Sequence, residues 1–342
     1  MSTYQPPYTI TPTILNRVAE ISELLGQWSA QQGELSPHLR RKNRIRTIQA
    51  SLAIENNTLS IEQVTAIVEG KRILGLPREV QEVRNALAAY EKLPHWQPTR
   101  AEDLMAAHQT LMQDLTEDAG LWRTKGVGIF RGKSLLHMAP PASQIPRLMT
   151  DLLNWLATTD IHPLIAGSVF HYEFEFIHPF SDGNGRLGRL WQTLILTQWR
   201  GQMAFLPVES VIRDHQERYY LALGQADQKS DCTGFIELML TLLAETLAAG
   251  ITAISPTHMS EKMSEKESDK TTQTILKALG QTPNMTIGQL ATLLGVSTRT
   301  VERHLKLLQK KKLLKRIGPP RGGHWQVQAS PPEDSQEGHG KI

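Results

Sequence analysis

His178-Pro179-Phe180-Ser181-Asp182-Gly183-Asn184-Gly185-Arg186-Leu187-Gly188-Arg189 is the stretch on which the reading of this chain turns. It runs into an apolar periodicity, Leu187, Leu190, Trp191, Leu194 and Ile195, which predicts a helix over Leu187–Trp199. Gly183 and Gly185 let the backbone approach a ligand closely and turn its N–H groups inward. A helix N-terminus adds the positive end of its dipole, and the two together make an anion cradle. Arg186 and Arg189 stand three residues apart, on a helix face directed toward the same loop. Two guanidinium groups beside such a cradle suit a polyphosphate. Asp182 offers the hard carboxylate that Mg²⁺ prefers. His178, four residues earlier, has the chemistry of a general base. Singly, each part has a plainer reading: a turn, a structural histidine before proline, a solvated basic face. In this order they describe phosphoryl or nucleotidyl transfer.

Outward from the loop, apolar residues recur at helical spacing. Upstream they predict helices over Ile14–Trp28, Ile45–Ile54, Ile61–Val68, Val80–Leu93 and Ala101–Leu115, the last entered at Thr99. Ser60 with Gln63 forms a capping box for the third. Nearer the loop, Ile145–Leu156 and Pro163–Phe174 read as helices, and downstream Arg213–Ala226 and Gly234–Thr252. The strand signals in this part are Gly126–Phe130 and Ser134–His137 around Arg131-Gly132-Lys133, a hairpin. Ser255–Lys270 has the polar composition of a linker, and Ala329–Ile342 that of a disordered tail.

The chain has 342 residues, 40% of them hydrophobic, enough for two or three units with a sizeable core. Its formal charge of +3 argues against a basic footprint over the whole surface, though not against a local patch. One cysteine, Cys232, excludes an internal disulfide framework and fits a reducing compartment. No secretory signal is visible, and no apolar run approaches the length of a bilayer span, so a cytoplasmic location without membrane contact is expected.

The segment His178–Arg189 resembles the signature of the Fic (Fic/Doc) family, His-x-Phe-x-Asp/Glu-Gly-Asn-Gly-Arg-x-x-Arg, at every defined position. Further matches extend over roughly residues 51–243, including Gly120-Leu121-Trp122-Arg123 before the hairpin. The resemblance implies a mainly α Fic-fold helical bundle with a small β-hairpin flap, and a protein adenylyltransferase. By it, His178 would deprotonate a Ser, Thr or Tyr hydroxyl of a target protein or of the chain itself, and that oxygen would attack the α-phosphate of ATP. Asp182 would hold Mg²⁺ or Mn²⁺. Gly183, Asn184, Gly185, Leu187 and Gly188 would form the phosphate cradle, with Arg186 at the β- and Arg189 at the γ-phosphate. Phe180 would anchor the loop. Tyr219, Tyr220 and Asp227 would wall the adenine, although relatives often carry Asn at the last position. Leu135, Leu136, His137 and Met138 would form the flap that pairs with a target segment.

Ser51-Leu52-Ala53-Ile54-Glu55-Asn56 resembles the family's inhibitory helix, here over about residues 45–57. The resemblance implies that Glu55 occupies Arg189, taking the γ-phosphate's partner and repelling the phosphate. Ser51 and Asn56 complete that motif. Removal of AMP through the same glutamate and use of another nucleotide stay open as alternatives.

At the C-terminus, helices over Thr271–Leu279, Thr286–Leu293 and Thr298–Gln309 precede a strand–loop–strand over Leu313–Val327. This resembles a winged helix-turn-helix. Arg299, Thr300, Arg303 and Lys306 would line the exposed face of its recognition helix and contact DNA; a protein-binding winged helix is the alternative. The expected organisation is therefore an N-terminal helical region (1–95), a catalytic core (96–254), a linker (255–270), a winged helix-turn-helix (271–328) and a tail (329–342). The partners expected are ATP, a target protein, the chain itself, DNA and a second copy in a homodimer. The competing reading is a DNA-binding regulator that merely senses a nucleotide.

Overall fold

Helical periodicity becomes packed helix along most of the chain. A computed structural model describes residues 4–32, 37–131, 134–254, 272–310, 313–319 and 323–328. They fall into two compact units, Met1–Ile251 and Thr252–Ile342. The expected linker, the tail and the hairpin tip Gly132-Lys133 lie outside the described residues.

The first unit is mainly α. Its helices are α1 (Pro12–Gln32), α2 (Pro37–Ile54), α3 (Ile61–Val68), α4 (Pro77–Lys92), α5 (Ala101–Met112), α6 (Ile145–Thr158), α7 (Pro163–Ile177), α8 (Asn184–Trp199), α9 (Val208–Asp214), α10 (Gln216–Lys229) and α11 (Thr233–Ile254). Between α5 and α6 lie β1 (Gly128–Arg131) and β2 (Ser134–Met138). They pair antiparallel, Gly128 opposite Met138 and Arg131 opposite Ser134, with a bulge between Ile129 and Phe130. The helix pair α7–α8 is the centre of the unit. Phe170, Phe174, Leu187 and Trp191 are fully buried along it, each stabilising by about 1.5–3 kcal/mol. Ser60 caps α3 with the full capping box.

Four sequence expectations shift. Helix α8 begins at Asn184 rather than Leu187, because Gly183 takes a left-handed conformation (φ +81°) and its carbonyl accepts the Leu187 N–H at 3.0 Å. Arg100, not Thr99, stands at the α5 N-cap, and α5 stops at Met112 before Asp114 turns left-handed. The helix expected over Arg213–Ala226 is two, broken at His215. Its N–H closes α9 on Val211 and Ile212, and its carbonyl opens α10 on Tyr219. Finally, Thr233–Ile251 in α11 is long and apolar enough to cross a membrane, contrary to the sequence expectation. Its Phe235, Ile236, Met239, Leu240, Leu243 and Leu247 are fully buried in the unit, as a core helix requires.

The second unit is a winged helix-turn-helix. A helix over 272–281 (α12) precedes α13 (Ile287–Leu294) and α14 (Thr298–Lys310), then β3 (Leu314–Ile317) and β4 (His324–Val327). Thr286 and Gln289 form a capping box on α13, and Gly295 (φ +65°) ends that helix. Ile275, Leu279, Leu290, Val301, Leu305, Leu308, Leu314 and Trp325 make the core. The wing strands pair antiparallel from Leu314–Val327 to Ile317–His324, with Arg316 stacked over Trp325 at 4.8 Å.

Candidate active site

Helix α7 ends at His178, which is left-handed (φ 49°, ψ 60°) and gives its N–H to Phe174 O at 2.9 Å. A non-glycine residue holds that conformation only where its surroundings fix it. Arg123, nearly fully buried, does much of the fixing. Its Nε donates to His178 O (2.7 Å), its Nη2 to Ile177 O (3.3 Å), and its backbone N–H to Pro179 O (2.9 Å). The same guanidinium reaches Lys125 O and Pro140 O, each at 2.7 Å, at the two feet of the hairpin. Charge-assisted bonds of this kind are the strong ones. Phe180 is fully buried against His108, Trp122 and Phe174.

Asn184, read as a phosphate ligand, turns its side chain back on the loop. It accepts the Phe180 N–H at 3.0 Å and donates to the Phe180 carbonyl at 2.9 Å. Leu187 is fully buried, and Gly188 packs on Glu175 and Phe174. These two support the loop from the core side.

His178, Gly185, Arg189, Glu55, Tyr219, Tyr220 and Asp227 border one cavity of about 140 Å³. The sequence reading missed Tyr172, Glu175 and Phe176, which also line it from α7. Tyr172 donates to Asp227 Oδ1 at 3.1 Å, so Asp227 is fixed to the central helix. Tyr219 is buried (1% exposed), its hydroxyl 2.9 Å from Nε2 of the buried His171. It backs the wall, while the half-buried Tyr220 meets its edge, ring centroids 5.2 Å apart.

Arg189 is buried and fully engaged on one side. Its Nη2 donates to Glu55 Oε1 at 2.7 Å and to Ser51 O at 3.0 Å, and its Nε to Ser51 Oγ at 3.1 Å. Burial alone would depress this guanidinium, but Glu55, then Tyr219 and Glu175, outweigh it and hold its pKa above the ordinary arginine value. A Cβ on Gly185 would fall 2.4 Å from Glu55 Oε1. The Glu55 carboxylate therefore rests directly on the glycine of the cradle. Asn56, left-handed at φ 69°, turns the chain out of α2.

Arg186 diverges from Arg189 toward the outer rim. It meets Asp182 Oδ1 at 3.0 Å and Glu82 Oε1 at 3.4 Å. Arg78 meets Asp182 Oδ2 at 3.2 Å, and the Gly183 N–H donates to Asp182 Oδ1 at 2.6 Å. Arg78 and Glu82 of α4 carry no local sequence signal that ties them to the loop. Among the described residues no group of three or more His, Cys, Asp or Glu could hold a metal ion by itself. Asp182, half exposed, fits Mg²⁺ as an ion that keeps most of its shell from water and phosphate.

Met138 is exposed, and the side chains of Leu135, Leu136 and His137 lie outside the described residues. Their backbone forms β2. In the second unit Arg299, Arg303 and Lys306 are exposed on α14, whereas Thr300, expected on the same exposed face, is half buried.

A family model described as "Fic/DOC family" matches residues 98–196, and one described as "Winged helix-turn-helix DNA-binding" matches 268–315. The crystal structure of a Fic family protein from Desulfovibrio desulfuricans G20 is 48% identical, covers 96% of this chain and 100% of that one, and has a TM-score of 0.71. The chain belongs to the Fic family. Among curated relatives it is 27% identical over 215 residues to Protein adenylyltransferase Fic of Nematostella vectensis, covering 58% of this chain and 47% of the relative. It is 30% identical over 193 residues to Protein adenylyltransferase fic-1 of Caenorhabditis elegans, covering 52% and 35%. The chain thus spans about half or less of the length of these relatives.

Proposed function

We propose that this protein is a protein adenylyltransferase that moves AMP from ATP to a Ser, Thr or Tyr hydroxyl of a target protein and of itself, and that Glu55 holds it off. The observation that carries this reading is the single cavity shared by His178, Gly185, Arg189 and Glu55. His178 takes the hydroxyl proton as the oxygen attacks the α-phosphorus, and the bond to the bridging oxygen breaks to release pyrophosphate. The loop amides at Gly183–Gly185, with Arg186 and Arg189, receive the phosphates. Asp182 would hold Mg²⁺ or Mn²⁺, which supplies charge neutralisation to the phosphates. The carboxylate that would hold the ion is paired with Arg78 at 3.2 Å and with Arg186 at 3.0 Å.

Glu55 acts by occupancy. Its oxygen sits on Arg189 and against Gly185, the two places a terminal phosphate needs. The names of the relatives support the transfer of AMP, and the intact His178 supports catalysis over mere nucleotide sensing. Incubating the Glu55→Gly variant with cell lysate and each nucleoside triphosphate in turn, followed by mass spectrometry, tests the whole reading. An AMP adduct on protein hydroxyls from ATP is the expected result. An adduct from another triphosphate, or none from any, sinks it.

The second unit adds DNA binding to this reading, supported by the exposed Arg299, Arg303 and Lys306 on one helix. A salt-dependent mobility shift with genomic fragments is expected, and its absence at low salt would remove this part alone.

A further inference from the structure

We infer that His108 is a positioning residue for the transfer reaction, one neutral imidazole that fixes the Asp182 end of the catalytic loop to the base of the flap. The inference rests on the adenylyl-transfer reading above. His108 lies on α5, far from the signature in sequence, and is fully buried. The Gly120 N–H donates to its Nδ1 at 2.8 Å. An accepting Nδ1 leaves the single ring proton of the neutral form on Nε2. Nε2 is 2.9 Å from the Asp182 carbonyl oxygen and therefore donates to it. The ring lies flat on Phe180, centroids 3.6 Å apart at 7°. A Cβ on Gly183 would come 3.4 Å from Nε2, so the same edge of the ring also borders the first glycine of the cradle.

These contacts complement those of Arg123. Arg123 holds the carbonyls of Ile177, His178 and Pro179, the end of the loop that carries the base. His108 holds the carbonyl of Asp182, the end that carries the proposed metal ligand and opens the cradle. Both reach the same turn, Gly120 to Arg123, which leads into β1. One side chain sets the height of the base over the flap, and the other sets the carboxylate. A buried polar group left without its partner is costly, so neither bond of His108 is incidental.

Two amides separate the two bonds. Asparagine places an oxygen near the ring's Nδ1 and keeps the Gly120 bond, while glutamine places an N–H near Nε2 and keeps the Asp182 bond. Phenylalanine keeps the stack on Phe180 and loses both. In the Glu55→Gly chain, His108→Gln should label itself from ATP within about threefold of its parent, whereas His108→Asn and His108→Phe should lose about tenfold or more in kcat. Thermal midpoints of the Gln and Asn variants should be alike. The inference is overturned if His108→Phe labels at the parent rate, or if Gln and Asn lose rate equally and in step with their stability. If the Glu55→Gly parent labels nothing, the transferase reading fails separately. Calorimetric ATP binding in the presence of Mg²⁺ then decides. Weaker binding in Asn and Phe but not in Gln sustains the positioning role, and equal binding in all overturns it.

Discussion

The catalytic loop and the recognition helix of the second unit both carry arginines that the proposed function assigns to a phosphate-bearing partner, and they hold them in opposite ways. Arg186 and Arg189 are nearly buried, tied to Glu82 of α4, to the Ser51 carbonyl of α2 and to Glu55 just beyond it. Arg299 and Arg303 stand in solvent on α14, above a core of Val301, Leu305 and Leu308 that does not need them. Water supports the second pair, and the fold itself supports the first. The lesson is that loop residues carry geometry and stability together, whereas the recognition helix separates them.

That difference can be broken or sharpened by substitution. The largest effect falls on His178→Ala in the Glu55→Gly chain, where self-labelling from ATP should drop roughly a thousandfold by gel autoradiography. A loss under tenfold would remove His178 as the base. Glu55→Gly alone should raise labelling about a hundredfold over the wild type, because a phosphate displaced by about 1 Å costs that much. Equal initial rates in the two chains would mean that Glu55 is no brake. Arg123→Ala should lower unfolding stability by about 3 kcal/mol in guanidinium titrations, as several buried carbonyls lose a charged donor. Arg303→Ala, on the exposed side of the comparison, should leave stability within about 0.5 kcal/mol. It should weaken DNA binding and reduce the log–log salt slope by about 1. A clear fall in its stability would erase the contrast between the two regions.

What the sequence made legible follows the same division. The loop is contiguous, so its residues stand beside one another in the chain as they do in space. Glu55 could be reached through the short pattern from Ser51 to Asn56, and its bond to Arg189 is present. His108, Arg78, Glu82 and Arg123 lie 55 to 104 residues from the loop atoms they touch. No period or spacing ties such pairs together, and each reads alone as an ordinary helix or turn residue. Tyr219 was placed at the cavity, which it lines, but an aromatic there can stack or support, and its burial against His171 is legible only in the structure. The break at His215 was hidden because the polar residues on either side of it continue a helical pattern. The start of α8 was hidden because Gly185 and Gly188 look like loop, yet both are helical.

Gly185 sets a limit on how this protein can change. Its missing side chain makes room for a phosphate by the proposed function and for the Glu55 carboxylate in the structure, where a single methyl would fall 2.4 Å from that oxygen. By that proposal, substrate and inhibitor read the same vacant volume. Position 185 cannot mutate to release the brake without also narrowing the seat of the nucleotide. On the same proposal, a lineage that gains activity must alter Glu55, just beyond α2, where the lock can be lost while the keyhole is kept.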